Sequence, residues 1–236
     1  MIRVSRLRVE YLDAGKTAVD DLSFEVERGE RLVLLGPSGC GKTTVLKAIL
    51  GLLRPREARV AGSVETGSSR LSAVFQRPAL FPWLSVEKNI SFPLLAAGRG
   101  KDARVKELTA SLLRMGGLEG TGATLPHQLS AGMQQRVSFL RALANSPDLV
   151  VMDEPFSSLD VAVKGQILKD FLALLRQGGI TALFVTHDIR EALAMGDRLL
   201  VLTASPARQK KQYSLKGLSA GEKESLLEAL AAAYEN

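Results

Sequence analysis

Apolar runs of strand length recur along the chain, separated by stretches with helical spacing of apolar residues. The runs are continuously apolar, which is typical of strands buried on both faces of a parallel sheet. They occupy residues 31–35, 72–75, 148–152, 181–186 and 198–202. Helical spacing is found in residues 42–50, 101–115, 133–144, 161–175 and 189–195. Strands that alternate with helices predict an α/β fold with a mostly parallel core sheet.

Two further segments near the start of the chain alternate between apolar and polar residues. They read RVSRLRVEY (3–11) and LSFEVERGE (22–30), and this alternation predicts strands with one buried face. Between residues 75 and 148 no buried strand of comparable strength occurs, so a mainly helical insertion is predicted at about 78–145. A short tail, at about 206–236, is polar at first and then has helical spacing.

Composition narrows the class of protein. The apolar runs are far shorter than the ~18 residues that a membrane-spanning helix needs, and the first residues do not resemble a secretory signal. We therefore expect a chain that stays in the cytosol unless a partner holds it at a membrane. The single cysteine, Cys40, excludes an internal disulfide. A net charge of +6 favours an anionic partner such as a nucleotide, a nucleic acid or a lipid surface, although a solvated basic face explains it equally well.

The segment GPSGCGKTT follows the strand at 31–35 and precedes a predicted helix. It fits the pattern G-x-x-x-x-G-K-[ST], in which glycines let several backbone N–H groups point at one phosphate chain. The helix N-terminus adds partial positive charge, Lys42 can reach the β- and γ-phosphates, and the Thr43 hydroxyl can bind Mg²⁺. We assign the Cys40 side chain to loop packing and not to redox chemistry. The predicted nucleotide-binding residues of this loop are Gly36, Pro37, Ser38, Gly39, Cys40, Gly41, Lys42, Thr43 and Thr44. The loop alone leaves GTPases, kinases and ATPases open.

Two adjacent carboxylates end the apolar run LVVMDEP. Asp153 is predicted at the carboxyl edge of a parallel strand, where such sheets bind ligands, and it can hold Mg²⁺. If strand alternation continues through Glu154, its side chain points the other way, towards the place of an attacking water. A helix-capping turn is the alternative for such a pair. No Asn-Lys-x-Asp guanine-recognition segment occurs, which argues against a GTPase.

Five motifs in this order and spacing, GPSGCGKTT, VFQ, LSAGMQQR, VVMDEPFSSLD and FVTHD, resemble the ATP-binding subunit of an ABC transporter over about residues 1–205. The resemblance implies a P-loop NTPase fold with a parallel core sheet, an antiparallel β subdomain and the helical insertion, together forming one ATP-binding domain over residues 1–236. It implies ATP and Mg²⁺ as cofactors. It assigns catalytic roles to Glu154, His187, Lys42 and Gln76, and metal binding to Thr43, Gln76 and Asp153. It also places Ser158 and Asp160 in the D-loop, and Tyr11 against the adenine, for which a surface strand tyrosine is the alternative.

The tetrapeptide LSAG occurs twice, at 129–132 and at 218–221. Ser130 is a predicted helix N-cap, so the first copy presents backbone donors for an anion. In the family this signature closes on the ATP of a second subunit, and the resemblance carries that role to Ser130, Ala131, Gly132 and Gln134. Ala131 stands where the family usually has glycine. In the second copy, Ser219 and Glu222 form a predicted capping box for the tail helix.

The resemblance further implies that the chain powers a membrane importer. The segment 75–90 carries the apolar residues Leu80, Phe81, Trp83 and Leu84, which either dock a membrane permease or pack inside the insertion. The segments PWLSVEKNI, GMQQR and VLTASPARQ are similar to those in the ATP-binding subunits of importers of nitrate, sulfonate, taurine and related anions, or of thiamine precursors. The implied partners are permease subunits, a second ATP-binding subunit (identical or different) and, indirectly, an extracytoplasmic solute-binding protein, at the cytoplasmic face of the membrane. We expect no nucleic acid and no C-terminal regulatory domain. The alternatives are a soluble ABC ATPase acting on nucleic acid or ribosomes, and a module that binds ATP without turnover.

Overall fold

The structure is a computed structural model that describes residues 1–68, 70–98, 103–157, 159 and 161–235. The strands are β1 (Ile2–Tyr11), β2 (Lys16–Val26), β3 (Arg31–Leu35), β4 (Ala58–Thr66), β5 (Leu71–Val74), β6 (Leu149–Asp153), β7 (Thr181–Thr186), β8 (Arg198–Leu202) and β9 (Gln209–Ser214). The helices are α1 (Lys42–Ile49), α2 (Val86–Ala96), α3 (Ala103–Met115), α4 (Ala131–Ala144), α5 (Val161–Gln177), α6 (Ile189–Met195) and α7 (Ala220–Glu235), with a 3₁₀ turn at Pro126–Gln128.

The larger sheet has six strands in the order β5-β6-β7-β3-β8-β9. Strand β3 lies parallel to β7 on one side and to β8 on the other, and β9 closes the edge antiparallel to β8. Strands β6 and β7 are buried at every residue, as expected where both faces of a parallel sheet are covered. The predicted α/β class with a mostly parallel core sheet is confirmed.

The smaller sheet has three antiparallel strands in the order β2-β1-β4. Ile2 and Val4, and then Leu7 and Val9, are buried, with an irregularity in the strand register between Val4 and Leu7. The arginines between them, Arg3, Arg6 and Arg8, are exposed. The alternation of polar and apolar residues in 3–11 therefore corresponds, as predicted, to a strand with one buried face.

Several elements differ from the prediction or were not predicted. Strand β6 ends at Asp153, one residue later than expected, and α4 begins at Ala131, two residues earlier. Strand β4 and strand β9 were missed because most of their residues are exposed on both faces, so neither has a buried stripe. Helix α2 was missed within the predicted helical insertion, although Ser85 caps it by accepting a hydrogen bond from the Lys88 N–H.

The chain divides into two compact units. The first contains Met1–Ser68, Val151–Glu154 and Thr181–Asn236, and the second contains Ser69–Val150 and Pro155–Ile180. In the second unit Phe139 stacks on Phe171 with ring centroids 4.3 Å apart and contacts Phe156 at 5.4 Å. Leu140 and Leu143 are buried beside Phe139, as the spacing of α4 predicts. The domain boundaries stay a prediction.

Among the described residues, none of the helices combines the length and the apolar character needed to cross a membrane.

Candidate functional site

The phosphate-binding segment turns sharply between β3 and α1. Gly41 precedes the first residue of α1 and has φ of 118°, a conformation that side chains rarely adopt. A Cβ atom at this position would lie 2.3 Å from the carbonyl oxygen of Ala18. Glycine is therefore required here both by the backbone conformation and by the close approach of a neighbouring strand.

Lys42 lies inside the curve of the loop. Its side chain is only 5% exposed, and its ammonium donates hydrogen bonds to the carbonyl oxygens of Gly36 at 2.7 Å and Pro37 at 2.9 Å. The ammonium is also 3.8 Å from a carboxylate oxygen of Glu154. A buried cation is thus held at the centre of the loop, where its charge can act on an anionic ligand with little solvent screening.

Asp153 and Thr43 form a pair of oxygen donors. The Thr43 hydroxyl donates to Oδ1 of Asp153 at 3.1 Å. Burial raises the pKa of the Asp153 carboxyl, and the nearby Glu154 charge raises it further, while Thr43 and Lys42 act in the opposite direction. A hydroxyl and a carboxylate are the hard oxygen ligands that Mg²⁺ takes, with water and phosphate oxygens completing the coordination. The two predicted metal ligands of this unit therefore lie together.

The Glu154 side chain is directed by a turn, which corrects the prediction from strand alternation. Strand β6 has ended at Asp153, and Glu154 has φ of 42°, in the left-handed region. Its N–H donates to the carbonyl oxygen of Val185 in β7 at 3.0 Å. The Glu154 carboxylate lies 3.1 Å from Nδ1 of His187. The predicted base, Glu154, and the predicted histidine, His187, are thus adjacent. The turn after β6 brings them together, and the alternation of side chains along a strand does not predict this turn.

The carboxyl end of β7 holds this histidine in place. The N–H of Gly36 donates to the Thr186 carbonyl at 3.4 Å, so the phosphate loop is attached to the same strand. The Thr186 hydroxyl donates to Glu191 at 2.8 Å and accepts from the N–H of Asp188 at 3.0 Å. Thr186 and Glu191, both buried, were missed as supporting residues. The segment THDIRE carried a signal for them, because Asp188 caps α6 and sets the first turn that includes Glu191.

Tyr11 and Cys40 lie near the start of α1. The hydroxyls of Tyr11 and Thr44 are 3.2 Å apart, which is hydrogen-bonding distance, and this places the tyrosine beside the phosphate loop. Cys40 is 1% exposed, and burial raises the pKa of its thiol. A buried, protonated thiol packed in the loop agrees with the interpretation of Cys40 as a packing residue.

The first LSAG copy forms a capped helix start in the second unit. The Ser130 hydroxyl accepts from the Met133 N–H at 3.3 Å, as predicted for an N-cap. Ser130 and Ala131 are exposed, and a Cβ at Gly132 would lie 3.4 Å from the Ile167 side chain. The Gln134 amide donates to the backbone carbonyls of Pro126 and Leu129, so it supports its own loop.

Gln76 is exposed in the second unit, shortly after β5. The first unit contains the other predicted catalytic and metal-binding residues of the site, Lys42, Thr43, Asp153, Glu154 and His187. The predicted D-loop residues Ser158 and Asp160 lie outside the described residues.

Comparison with known proteins defines the class. Residues 19–157 match the family described as ABC transporter. The taurine import ATP-binding protein TauB of Pelagibacter ubique is 39% identical over 207 residues, which cover 86% of this chain and 78% of that protein. The Fe(3+) ions import ATP-binding protein FbpC 2 of Haemophilus influenzae is 42% identical over 192 residues, which cover 77% of this chain and 54% of that protein.

A solved structure agrees with these sequence relatives. A dimeric ATP-binding cassette in a post-hydrolysis state, bound to ADP and Pi, matches with a TM-score of 0.76 at 28% identity, covering 92% of this chain and all of that chain. The fold, the phosphate loop and the paired carboxylates thus define an ABC-type ATPase. The chain belongs to the ABC transporter family.

Proposed function

We propose that this chain is the ATP-hydrolysing subunit of a membrane ABC importer. The observation that carries the proposal is the convergence of three groups at the carboxyl ends of β3, β6 and β7. These are the Lys42 ammonium in its loop, the Thr43–Asp153 pair and the Glu154–His187 pair. A phosphate cradle, oxygen donors for a metal and a carboxylate beside a histidine together meet the requirements of nucleotide hydrolysis.

Binding follows from the loop and its neighbours. The backbone N–H groups of the loop and the start of α1 would hold the phosphates, with Lys42 supplying the positive charge. Thr43 and Asp153 would hold Mg²⁺, which neutralises phosphate charge when bound. Tyr11, beside Thr44, would stack on the adenine.

Hydrolysis would use Glu154 as the group that accepts a proton from the attacking water. His187, whose Nδ1 lies 3.1 Å from the Glu154 carboxylate, would keep that carboxylate in position and would face the terminal phosphate. Gln76 would contribute to placing the water and the metal. Each of these residues stays a prediction until its variant is measured.

A second ATP-binding subunit would complete the site. Ser130 and Ala131 are exposed at the start of α4, where the first N–H groups have no partner within the helix backbone. In the proposed assembly this start closes on the ATP held by another copy or by a related subunit. The dimer of the matching solved cassette supports this arrangement.

The permease would dock on an exposed aromatic surface of the second unit. Trp83 is 73% exposed, and Phe75, Phe92 and Leu95 are each about 40% exposed nearby in the sequence. Phe81 instead packs against Phe92 with ring centroids 4.5 Å apart and lies under Arg141, as the packing interpretation of this segment predicts. Docking through Trp83 stays a prediction. Exposed aromatic residues of this kind are favoured at protein interfaces.

The cargo we propose is a small organic or inorganic anion of the nitrate, sulfonate or taurine type, or a thiamine precursor. TauB supports the anion class, whereas FbpC 2, at similar identity, is an iron importer subunit. An extracytoplasmic solute-binding protein would deliver the cargo, and the chain would sit at the cytoplasmic face of the membrane, held there by the permease.

Co-purification with a membrane permease tests the proposal. We expect the Trp83→Ala variant to lose the permease while its own ATPase activity persists, because Trp83 is largely exposed and its ring contacts Phe81, which has no catalytic role. The matched control is Leu52→Ala, which removes a 51% exposed apolar side chain from the first unit and should retain the permease. Recovery of the chain with nucleic acid, and never with membranes, would contradict the proposal. Uptake of taurine against Fe(3+) by the reconstituted complex then distinguishes the cargo classes.

A further inference from the structure

A pocket of about 580 Å³ lies in the first unit beside the ends of β8 and β9 and beside helix α7. This volume is within the range of pockets that hold small organic ligands. Leu202 and Leu230 line it and are each only 2% exposed, so they form an apolar floor. Ala229 lines it from the exposed side of α7.

The rim of the pocket is polar and positively charged. Lys210, Lys211 and Tyr213 of β9 line it, and the Lys211 ammonium lies 4.9 Å from the centre of the Tyr213 ring. Within the described part of the chain, no acidic side chain lines the pocket and the Tyr213 hydroxyl has no hydrogen-bond partner. Apolar depth below two unneutralised ammonium groups and a phenol complements a ligand with an apolar body and one anionic group.

The pocket also contacts the phosphate loop. Pro37 lines it, and the carbonyl oxygen of Pro37 accepts a hydrogen bond from the Lys42 ammonium at 2.9 Å. Leu202 approaches the same loop, because a Cβ at Gly36 would lie 3.3 Å from the Leu202 Cβ. A ligand in the pocket would therefore touch a residue whose carbonyl positions the phosphate-binding lysine.

We propose that this pocket binds a small amphipathic organic anion, a carboxylate or sulfonate with an apolar body, and that its occupancy changes nucleotide affinity through Pro37. The anionic group lies at Lys210, Lys211 and the Tyr213 hydroxyl, and the apolar body lies on Leu202 and Leu230. Because coupling between two binding sites is reciprocal, ATP changes the affinity for the anion by the same factor.

Titration of the full chain with the fluorescent probe anilinonaphthalene sulfonate tests the proposal directly, without reference to transport. We expect one saturable site per chain, displaced by hexanesulfonate and retained in the presence of hexylammonium. The Lys210→Glu, Lys211→Glu double variant should weaken the affinity roughly tenfold, because two attractive charge contacts with the sulfonate become repulsive. Saturating MgATP should shift the affinity of the probe without abolishing its binding.

Three controls locate the probe. Lys106→Glu makes a charge reversal at an exposed lysine of α3, and Trp83→Ala removes the exposed aromatic surface, so both should leave binding unchanged. Ala229→Trp should fill the pocket from its exposed side and abolish binding while the chain keeps its melting temperature. Competitive loss of the probe with ATP, equal displacement by hexylammonium, or indifference to both the lysine reversals and Ala229→Trp would each overturn the proposal.

Discussion

The Glu154→Gln substitution tests the catalytic assignment with little disturbance of the fold. Glutamine has the shape of glutamate and keeps an oxygen that can accept from His187, which lies 3.1 Å from the Glu154 carboxylate. The backbone of Glu154 is held independently by its hydrogen bond to Val185. The change therefore removes one negative charge and the ability to accept a proton from water, and leaves the geometry intact.

The expected magnitudes differ for chemistry and for stability. Loss of a general base lowers a rate by about 100- to 10,000-fold, which corresponds to about 2.7–5.4 kcal/mol in the activation free energy. The contact with Lys42 is 3.8 Å long, beyond hydrogen-bonding distance, and Asp153 repels Glu154. The two electrostatic effects oppose each other, so we expect the free energy of unfolding to change by less than about 1 kcal/mol.

The assay is single-turnover and steady-state release of phosphate from MgATP, with equilibrium binding of ATP measured on the same preparations. We expect the variant to bind ATP at least as tightly as the parent chain, because a charge that repels phosphate has been removed. The matched control is Glu107→Gln, an exposed glutamate of α3, which should leave the rate unchanged. Hydrolysis at the parental rate by Glu154→Gln, with intact ATP binding, would remove Glu154 from the proton-accepting role.

Three further substitutions test neighbouring features. Ala131→Gly should change ATP turnover by no more than about threefold, because the backbone donors of α4 remain, and a loss of activity in the phosphate-release assay would refute this. Asp153→Asn should lose Mg²⁺-dependent hydrolysis and gain thermal stability. Since burial raises the pKa of Asp153 in the folded chain, the stability tied to its protonated form is present below the unfolded pKa and is lost as pH rises through the folded one. Melting temperatures should therefore show the gain of Asp153→Asn at about pH 8 and its decline towards about pH 4, and a constant difference would contradict it. Gly41→Ala should destabilise the chain by more than about 3 kcal/mol in denaturant unfolding, because its Cβ would collide with a backbone carbonyl. Gly15 also has a positive φ but has open space around it, so Gly15→Ala should cost only about 1–2 kcal/mol. Equal costs for the two substitutions would refute the steric argument.

The features that sequence predicts best are those determined by local rules. The bounds of β3, β7 and β8 agree with the apolar runs, because fully buried strands leave a continuous hydrophobic signal. The capping box of the second LSAG copy is present, with the Glu222 N–H donating to the Ser219 hydroxyl and the Ser219 N–H donating to the Glu222 carboxylate. The capping box is a short-range interaction whose partners are three residues apart in the chain.

The features that sequence missed depend on distant partners or on unusual backbone conformations. Strand β9 is polar at nearly every residue and exists because β8 offers an antiparallel edge. The direction of Glu154 depends on a positive φ, which is uncommon for glutamate and has no sequence signature. The pocket beside β9 depends on α7 lying near the end of β8, which no motif encodes.

The end of β7 acts as a common mechanical reference for the catalytic groups. Val185 anchors the backbone of Glu154, Thr186 anchors Gly36 of the phosphate loop, and His187 is the next residue of the same segment. Any displacement of this segment moves the base, its histidine and the loop in concert, so their mutual spacing is preserved while their joint position changes. Alignment of the reacting groups is therefore a property of one strand end. Looser packing around Phe184, which is fully buried in β7, would make the positions of Glu154, His187 and the phosphate loop less well defined at the same time.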